Sequence, residues 1–106
     1  MSRLTMFIAQ NFHKPIKAAD IGKAVGLHPD YANNLFRKAF GCTLHQFLLQ
    51  ERISNAERLL VTTDKPITEI GLSCGFSTIA RFNATFMKRT ECTPSEYRKR
   101  YDYNAL

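Results

Sequence analysis

Apolar residues recur at helical spacing along the chain, in blocks separated by glycine, proline and polar residues. The longest block covers residues 44–61 and contains no Gly or Pro. Its apolar positions are spaced by four, three and four residues, at Leu49, Ile53, Ala56 and Leu60. This is the period of an amphipathic helix. The pattern therefore predicts a single long helix, which would extend over roughly 27 Å at 1.5 Å per residue.

The long helix has a predicted start and a predicted buried charge. Thr43 is followed three residues later by Gln46, which is the spacing of a capping box. In that motif each of the two side chains accepts a hydrogen bond from a backbone N–H of the other residue. Arg52 lies on an otherwise apolar side of the helix. We expect it to be buried, structural and paired with a carboxylate such as Glu69.

Six shorter helices are predicted around the long one, bounded by Gly, Pro and polar caps. Gly26 ends one of them, because glycine adopts the left-handed cap conformation at little cost. Pro29 begins the next, since proline is favoured at the first helical position. Thr93, with Glu96 three residues later, caps the last helix. The predicted ranges are 2–12, 18–25, 29–40, 68–74 and 77–89, with the last helix starting at residue 93.

The segments before and after the long helix repeat each other. Residues 36–43 match residues 86–93 at an offset of 50, and residues 21–27 match residues 70–76 at an offset of 49. Each copy reads as helix, glycine-containing turn and helix, which is the layout of a helix-turn-helix whose second helix enters the major groove of DNA. Two copies are too few for a solenoid. No segment alternates like a β-strand, so the sequence predicts an all-α protein.

The repeat divides the chain into three parts. We expect a first helix-turn-helix subdomain over residues 1–43, a linker helix over residues 44–61 and a second subdomain over residues 62–106. Hydrophobic residues make up 44% of the 106 positions, which is ample for a packed core. Each half alone would be marginal at its size. We therefore expect both subdomains to depend on the shared helix.

Composition limits the classes of partner. Fifteen Lys and Arg against nine Asp and Glu give a net charge of +6 and a pI near 9.5. This balance favours a polyanion such as nucleic acid, although charge alone fits a soluble basic protein equally well. The sequence contains no apolar run of membrane-spanning length and no signal-peptide layout at its start. We expect a cytoplasmic protein that makes no contact with a membrane.

The cysteines give no indication of a metal site or of catalysis. Cys42, Cys74 and Cys92 form no C-x-x-C pair, and they are expected to be reduced, small core residues. No His lies at zinc-ligand spacing from them. No nucleophile with a neighbouring base and no phosphate-binding loop is evident. We therefore expect no cofactor, no metal and no enzymatic activity.

A series of short motifs extends over about residues 3–101. In chain order these are Gly26-Leu27-His28-Pro29, Leu35-Phe36-Arg37-Lys38, Gly41-Cys42-Thr43, Phe47-Leu48, Arg52-Ile53, Ala56, Leu59-Leu60, Ile67-Thr68-Glu69-Ile70, Gly75-Phe76-Ser77, Phe82, Phe86-Met87-Lys88 and Thr93-Pro94-Ser95-Glu96-Tyr97-Arg98. Together they resemble the DNA-binding domain of AraC/XylS-type transcription regulators. The resemblance implies seven helices and two helix-turn-helix units joined by the long helix, with two recognition helices in successive major grooves.

The resemblance also implies a role and further partners. It implies sequence-specific binding of double-stranded DNA by a transcription regulator, in particular an activator, with RNA polymerase as a second partner. Dimerisation and effector binding, which the family places in another domain, would lie outside this chain. Two residues depart from the family pattern. Lys17 replaces a Ser or Thr cap, and Glu91 replaces the glycine found at Gly41 in the first copy, which would distort that turn.

In the first subdomain the predicted base contacts are Asp30, Asn33 and Asn34. An Asn side chain can pair with both N6 and N7 of adenine, so two adjacent Asn residues on an outer helix face favour base reading over simple surface amides. Asp30 would either accept from cytosine N4 or point away from the DNA. Four predicted base contacts lie in the second subdomain, where Ile79 and Ala80 suit thymine methyl groups and could equally be surface aliphatics. The four are Thr78, Ile79, Ala80 and Ala84.

A second set of residues is predicted to hold phosphates. Arg37 and Arg81 lie at the periphery of the reading helices, where they suit the backbone of the DNA better than its bases. The N-termini of both reading helices should also bind phosphate through backbone N–H groups. Ser77 is the predicted cap of the second reading helix, and His28 could simply cap the first. The predicted phosphate contacts are His28, Arg37, Ser77, Arg81 and Lys88.

Two other classes of protein remain open from the sequence. This type of domain also occurs in DNA-repair proteins that carry an alkyl-accepting cysteine, and here no activating His or Lys pattern surrounds any cysteine. The same helices could alternatively serve only as a protein-interaction module.

Overall fold

A computed structural model describes residues 2–101, and over that range the chain forms seven α-helices and no strand. None of these helices combines the length and the hydrophobicity that crossing a membrane requires. The chain divides into two compact units, unit 1 up to Glu51 and unit 2 from Arg52 onward. In chain order the helices are α1 Ser2–Asn11, α2 Ala18–Ala24, α3 Pro29–Phe40, α4 Leu44–Thr62, α5 Ile67–Ser73, α6 Ile79–Thr90 and α7 Pro94–Arg100.

Unit 1 packs α1, α2, α3 and the first half of α4 around one core. Leu4 and Ile8 are fully buried on the apolar stripe of α1, while Phe7 and Phe12 are only partly buried at the edge of that core. Burying such side chains stabilises a fold by roughly 1.5–3 kcal/mol each. The buried core residues of unit 1 are Leu4, Ile8, Ile21, Ala32, Phe36, Leu44 and Leu48.

The core of unit 2 contains a continuous series of aromatic rings. Phe76, Phe82, Phe86 and Tyr97 contact one another in sequence, with ring centroids 5.3, 5.7 and 5.5 Å apart. These separations lie in the range of favourable edge-to-face and tilted packing. The series links the turn before α6, α6 itself and α7. The second half of α4 adds Ile53, Ala56 and Leu60 to the buried residues of unit 2.

Each helix-turn-helix contains a buried glycine at the crossing of its two helices. A Cβ on Gly22 of α2 would lie 3.1 Å from the Cβ of Ala32 and 3.2 Å from the Cα of Pro29 in α3. A Cβ on Gly71 of α5 would lie 2.5 Å from Cδ2 and 2.7 Å from Cγ of Phe82 in α6. The absence of a side chain therefore allows the two helices of each unit to approach closely.

Arg98 ties α7 to the end of α4. Its Nε donates to the carbonyl oxygen of Leu60 at 2.9 Å, and its Nη2 donates to the carbonyl oxygens of Thr63 at 3.2 Å and Lys65 at 2.8 Å. The last carbonyls of an α-helix have no partner within the helix and need one from elsewhere. One guanidinium thus satisfies carbonyl groups at the end of α4 and along the loop that follows it.

Most of the predicted caps are confirmed. Gln46 Oε1 accepts from the Thr43 N–H at 2.8 Å, and Thr43 Oγ1 accepts from the Gln46 N–H at 3.0 Å, so the capping box of α4 is present. Thr93 and Glu96 form the corresponding box at α7. At α2 the Lys17 side chain makes no cap hydrogen bond, and Asp20 Oδ2 instead accepts from the Lys17 N–H at 2.8 Å.

Burial along α3 and α4 differs in part from the sequence pattern. Arg52 is buried as predicted, with 8% of its surface exposed. Leu49 is only half-buried, whereas Leu48 is buried, because α4 presents Leu44 and Leu48 to the core of unit 1. Phe40 lies four residues after Phe36, where the helical period predicts an inward-facing side chain, but this prediction is wrong because Phe40 is 47% exposed. Its ring packs against Phe36, with centroids 4.5 Å apart, and its centroid lies 6.3 Å from that of the Phe47 ring.

The turn after α6 is not distorted by Glu91, so that expectation is wrong. Glu91 has φ 62° and ψ 21°, close to the values of 76° and 6° at Gly41 after α3. Its N–H donates to the carbonyl of Met87 as the N–H of Gly41 does to that of Arg37. Glu91 thus adopts a left-handed conformation that is unfavourable for a residue with a Cβ.

Glu91→Gly is expected to stabilise unit 2 by about 0.5–1 kcal/mol, because glycine adopts this conformation without steric conflict. Denaturant unfolding followed by circular dichroism would measure the change. Gly41→Ala is the matched control, since a Cβ there meets no atom within 4 Å and the substitution introduces backbone strain alone. It should destabilise unit 1 by a similar amount. A Glu91→Gly protein that is no more stable than the parent would contradict the assignment of strain.

Candidate nucleic-acid interface

In unit 1, α2 and α3 form a helix-turn-helix whose turn is set by local residues. Gly26 has φ 78°, the left-handed conformation that ends α2. His28 is the N-cap of α3, and its Nδ1 accepts from the Asp30 N–H at 3.2 Å. Pro29 occupies the first helical position, as predicted. Asp30 lies in the first turn, where a carboxylate interacts favourably with the helix dipole.

One face of α3 is exposed along its length. Ala32 and Phe36 are fully buried, so residues about 180° away around the helix point to solvent. We call these residues the outer face of α3; they are Asp30, Tyr31, Asn34, Arg37 and Lys38, and all are exposed. Asn34 lies at its centre, directly opposite the buried side. This face therefore combines amide, carboxylate and cationic groups.

Asn33 has a structural partner that the sequence did not reveal. It is half-buried, and its Oδ1 accepts from the Leu44 N–H at 3.0 Å. This bond caps the first turn of α4 from the side of α3. Pairing with both N6 and N7 of adenine uses the carbonyl and the amino group of an Asn together. Asn34, which is exposed, is therefore better placed than Asn33 for that contact.

In unit 2, α6 begins later than the sequence pattern predicted. Thr78, not Ser77, is its N-cap, and Thr78 Oγ1 accepts from the Arg81 N–H at 3.1 Å. The predicted cap at Ser77 is thus wrong by one residue. Both residues carry a hydroxyl, and Thr78 is the cap, with an extended backbone of φ −142° and ψ 156°. Ser77 remains exposed beside the helix start.

The exposed face of α6 has the same arrangement as that of α3. Phe82 and Phe86 are fully buried, and the residues opposite them are exposed. Ile79, a predicted base contact, is half-buried at the edge of this face. We call the five exposed residues most nearly opposite the buried side the outer face of α6; they are Ala80, Arg81, Ala84, Met87 and Lys88.

Comparison with known proteins identifies this arrangement. A family profile for helix-turn-helix domains matches residues 21–100, which run from within α2 to the end of α7. The structure also superposes on that of a Chromobacterium violaceum transcriptional regulator with an AraC-type DNA-binding domain, with a TM-score of 0.86 and 29% sequence identity over 96% of this chain and 91% of the other. The chain belongs to the AraC-type family. It is an AraC-type DNA-binding domain of the kind found in transcription regulators.

Curated relatives of this AraC-type domain are longer regulators. The melibiose operon regulatory protein of Escherichia coli K12 is 34% identical over 99 residues, which cover 93% of this chain and 33% of that protein. The lactose operon transcription activator of Staphylococcus xylosus is 32% identical over 98 residues, covering 92% of this chain and 35% of that protein. The AraC-type domain thus spans about a third of the length of the curated relatives it matches.

The predicted site residues lie within the two units as follows. Asp30, Asn34 and Arg37 share the outer face of α3, and Ala80, Ala84, Arg81 and Lys88 share that of α6. His28 and Thr78 are the caps of these helices. The sequence reading missed Tyr31, Lys38 and Met87, which are also exposed on these faces. Counting around each helix from the buried phenylalanine would have found them, since residues two and five positions away lie on the far side.

The cysteines of this AraC-type domain are free thiols that are wholly or partly buried. Cys74 and Cys92 are buried and Cys42 is half-buried. Burial raises the pKa of the Cys74 thiol, although the Asn55 side chain, whose Nδ2 lies 3.3 Å from Cys74 Sγ, acts in the opposite direction. A raised pKa leaves less of the reactive thiolate. These positions are typical of small core residues.

Proposed function

We propose that this chain is the sequence-specific double-stranded DNA-binding part of a bacterial-type transcription activator and that it has no catalytic role. In this proposal α3 and α6 enter successive major grooves of one duplex. The observation that carries it is the pair of exposed outer faces, each on the second helix of a helix-turn-helix and each bearing Lys and Arg. The net charge of +6 supports a polyanionic partner.

The proposal assigns bases and phosphates to different residues. Asn34 and Asp30 contact base edges through hydrogen bonds in unit 1, with Asn33 in a supporting role at α4. Four residues of unit 2 contact bases, namely Thr78, Ile79, Ala80 and Ala84. The backbone phosphates are held by cationic residues and by groups at the helix N-termini. The phosphate contacts are His28, Arg37, Ser77, Arg81 and Lys88.

The curated relatives support proposals about transcription activation and about further partners. The Staphylococcus xylosus relative is a transcription activator, which supports the same role for the protein containing this chain. RNA polymerase is then a second partner. Dimerisation and effector binding are assigned to segments outside this chain, since the relatives are about three times as long. A regulator with this role acts beside the chromosome, in the cytoplasm.

Selection of bound sequences from a random pool of DNA duplexes tests the proposal. The chain is expected to enrich one motif and to bind it more tightly than a scrambled duplex of equal length. The logarithm of the binding constant should fall with the logarithm of salt concentration, at a slope of about −0.9 for each phosphate neutralised. An enzymatic role in alkyl transfer would instead appear as a mass increase on a cysteine after incubation with methylated DNA. Failure to enrich any motif would overturn sequence-specific binding.

Asn34→Ala is expected to weaken binding to the selected duplex by roughly 1–3 kcal/mol and to relax the preference at one base pair. The reason is that alanine cannot form the two hydrogen bonds that an Asn makes with adenine. Fluorescence anisotropy with all four base pairs at that position would measure both effects. Arg37→Ala is the matched control on the same face, expected to weaken every sequence alike and to reduce the salt slope by about 1. An equal loss on all sequences for Asn34→Ala would show that Asn34 does not read bases.

A further inference from the structure

The two reading helices can be compared residue by residue. Each has 12 residues, each begins after a capping side chain, at His28 or Thr78, and each buries its fourth and eighth residues. Those buried residues are Ala32 and Phe36 in α3, and Phe82 and Phe86 in α6. Residue numbers in α6 therefore exceed those of the equivalent positions in α3 by 50. This register lets chemistry on one outer face be matched to chemistry on the other.

Along the middle of the outer faces, α6 has apolar side chains where α3 has hydrogen-bonding ones. Asp30 and Asn34, the proposed base contacts of α3, are matched by Ala80 and Ala84, and Arg37, its proposed phosphate contact, is matched by Met87; all six are exposed. We call the last three the apolar strip of α6; Met87 is 44% exposed. These positions follow one another at spacings of four and three, so they lie on one side of the helix. Asn83, which matches Asn33, is also exposed and lies beside the strip, three residues after Ala80 and four before Met87.

The edge of the outer face keeps its positive charge in both helices. Lys38 is matched by Lys88, and Tyr31 is matched by Arg81, all of them exposed. The hydroxyl of Thr78, the polar side chain nearest the start of α6, accepts from the Arg81 N–H as a cap. α6 therefore retains cations suited to DNA phosphates, while the centre of its face offers hydrocarbon and a thioether.

The groups that base pairs present in the major groove indicate what such a strip would contact. The four base pairs present hydrogen-bond donors and acceptors there, and the apolar group among them is the C5-methyl of thymine. We propose that the apolar strip of α6 selects thymine by contact with its C5-methyl group. This inference rests on the proposed function. α3, by contrast, selects bases by hydrogen bonds. The cations at the edge of the strip favour DNA over a protein partner as its occupant, because they match a phosphate backbone.

Replacement of thymine by deoxyuridine in the duplex tests the proposal, since the exchange removes the methyl group and leaves base pairing intact. The probe is the duplex selected from the random pool, and the half-site read by α6 is the one whose preferences survive Asn34→Ala. Replacing a contacted thymine in that half-site by deoxyuridine should weaken binding by about fourfold, because the contact of one buried methyl group is lost. The same exchange in the half-site of α3 should have less effect.

Protein variants separate methyl contact from general weakening. Met87→Gln keeps the length of the side chain and its exposed position, and it should reduce the preference for thymine over deoxyuridine. Met6→Gln is the matched control, because Met6 is exposed in α1 at 59% and lies outside both outer faces. Ala84→Asn should introduce a preference for adenine at one base pair, as its counterpart Asn34 is proposed to have. Circular dichroism would confirm that each variant keeps its helices.

Four outcomes would overturn the proposal. Equal affinity for thymine and deoxyuridine duplexes throughout the half-site, with discrimination against the scrambled duplex intact, would reject methyl reading and leave the proposed function standing. Failure to enrich thymine in that half-site would do the same. Loss of discrimination between the selected and scrambled duplexes would reject the proposed function and the inference together. An unchanged preference for thymine over deoxyuridine in Met87→Gln would show that the strip does not contact the methyl groups, which would leave a protein partner as its occupant.

Discussion

Gly71→Ala is expected to destabilise unit 2 by about 3 kcal/mol, at the upper end of the usual cost of overpacking a core. The added Cβ would lie 2.5 Å from Cδ2 and 2.7 Å from Cγ of Phe82. Phe82 cannot move aside freely, because its ring also packs against Phe76 and Phe86. The clash would force α5 and α6 apart. A unit of this size has little free energy of unfolding to lose.

Hydrogen exchange followed by mass spectrometry would locate the effect. Amide protons of α5 and α6 should exchange faster in Gly71→Ala, while those of unit 1 change little. Leu72→Ala is the matched control, since Leu72 is the next residue of α5 and is 53% exposed. It should leave exchange almost unchanged. If Gly71→Ala matched this control, the close approach of α5 and α6 would not contribute to stability.

Arg98→Ala is expected to destabilise unit 2 by about 2–3 kcal/mol, because three hydrogen bonds from a charged donor are lost. The carbonyl of Leu60 would lose its partner where α4 ends. Arg98→Lys should be intermediate, since an ammonium cannot reproduce the planar geometry that lets one guanidinium reach separate carbonyl oxygens. Denaturant titration would measure the free energy of unfolding for both variants.

Lys99→Ala provides the control for Arg98. It removes the neighbouring cation of α7, which is exposed, and so it separates the loss of charge from the loss of the carbonyl contacts. We expect a change within about 0.5 kcal/mol, as for other exposed surface positions. A comparable destabilisation by both variants would mean that the three hydrogen bonds of Arg98 add little.

Local signals in the sequence were sufficient for the helices. α3 has the predicted bounds from Pro29 to Phe40, because proline at its start and glycine after its end act within a few residues. The capping boxes at Thr43 and Thr93 are local in the same sense. At α6 the same reasoning failed by one position, since Ser77 and Thr78 both carry a hydroxyl and the choice between them depends on how the turn from α5 closes.

Features that depend on distant residues could not be read from the sequence. In the sequence Arg98 stood out only as the last residue of a motif, and its carbonyl partners lie more than 30 positions earlier in the chain. Asn33 lies 11 residues from Leu44, whose N–H it accepts. Phe40 has an apolar side chain at a position that the helical period assigns to the core, and yet α3 extends past that core in its last turn. Tertiary packing decided each of these.

The sequence predicted which helices form the candidate site better than it predicted which residues do. The repeat and the glycine turns were enough to predict α3 and α6 as the reading helices, and Asn34, Ala80 and Ala84 are exposed on them. The equivalence of the two outer faces required the common caps and buried positions seen in the structure. Their contact with particular bases stays a prediction.

The boundary between the two units lies inside α4, between Glu51 and Arg52, and no loop marks it. Anyone building chimeras to exchange DNA preferences among such regulators would naturally recombine genes at the polar loop after α4. That junction would separate Ile53, Ala56 and Leu60, which are buried residues of unit 2, from the rest of that unit. A crossover between codons 51 and 52, in the middle of a helix, should instead yield hybrids in which all core residues of each unit come from one parent.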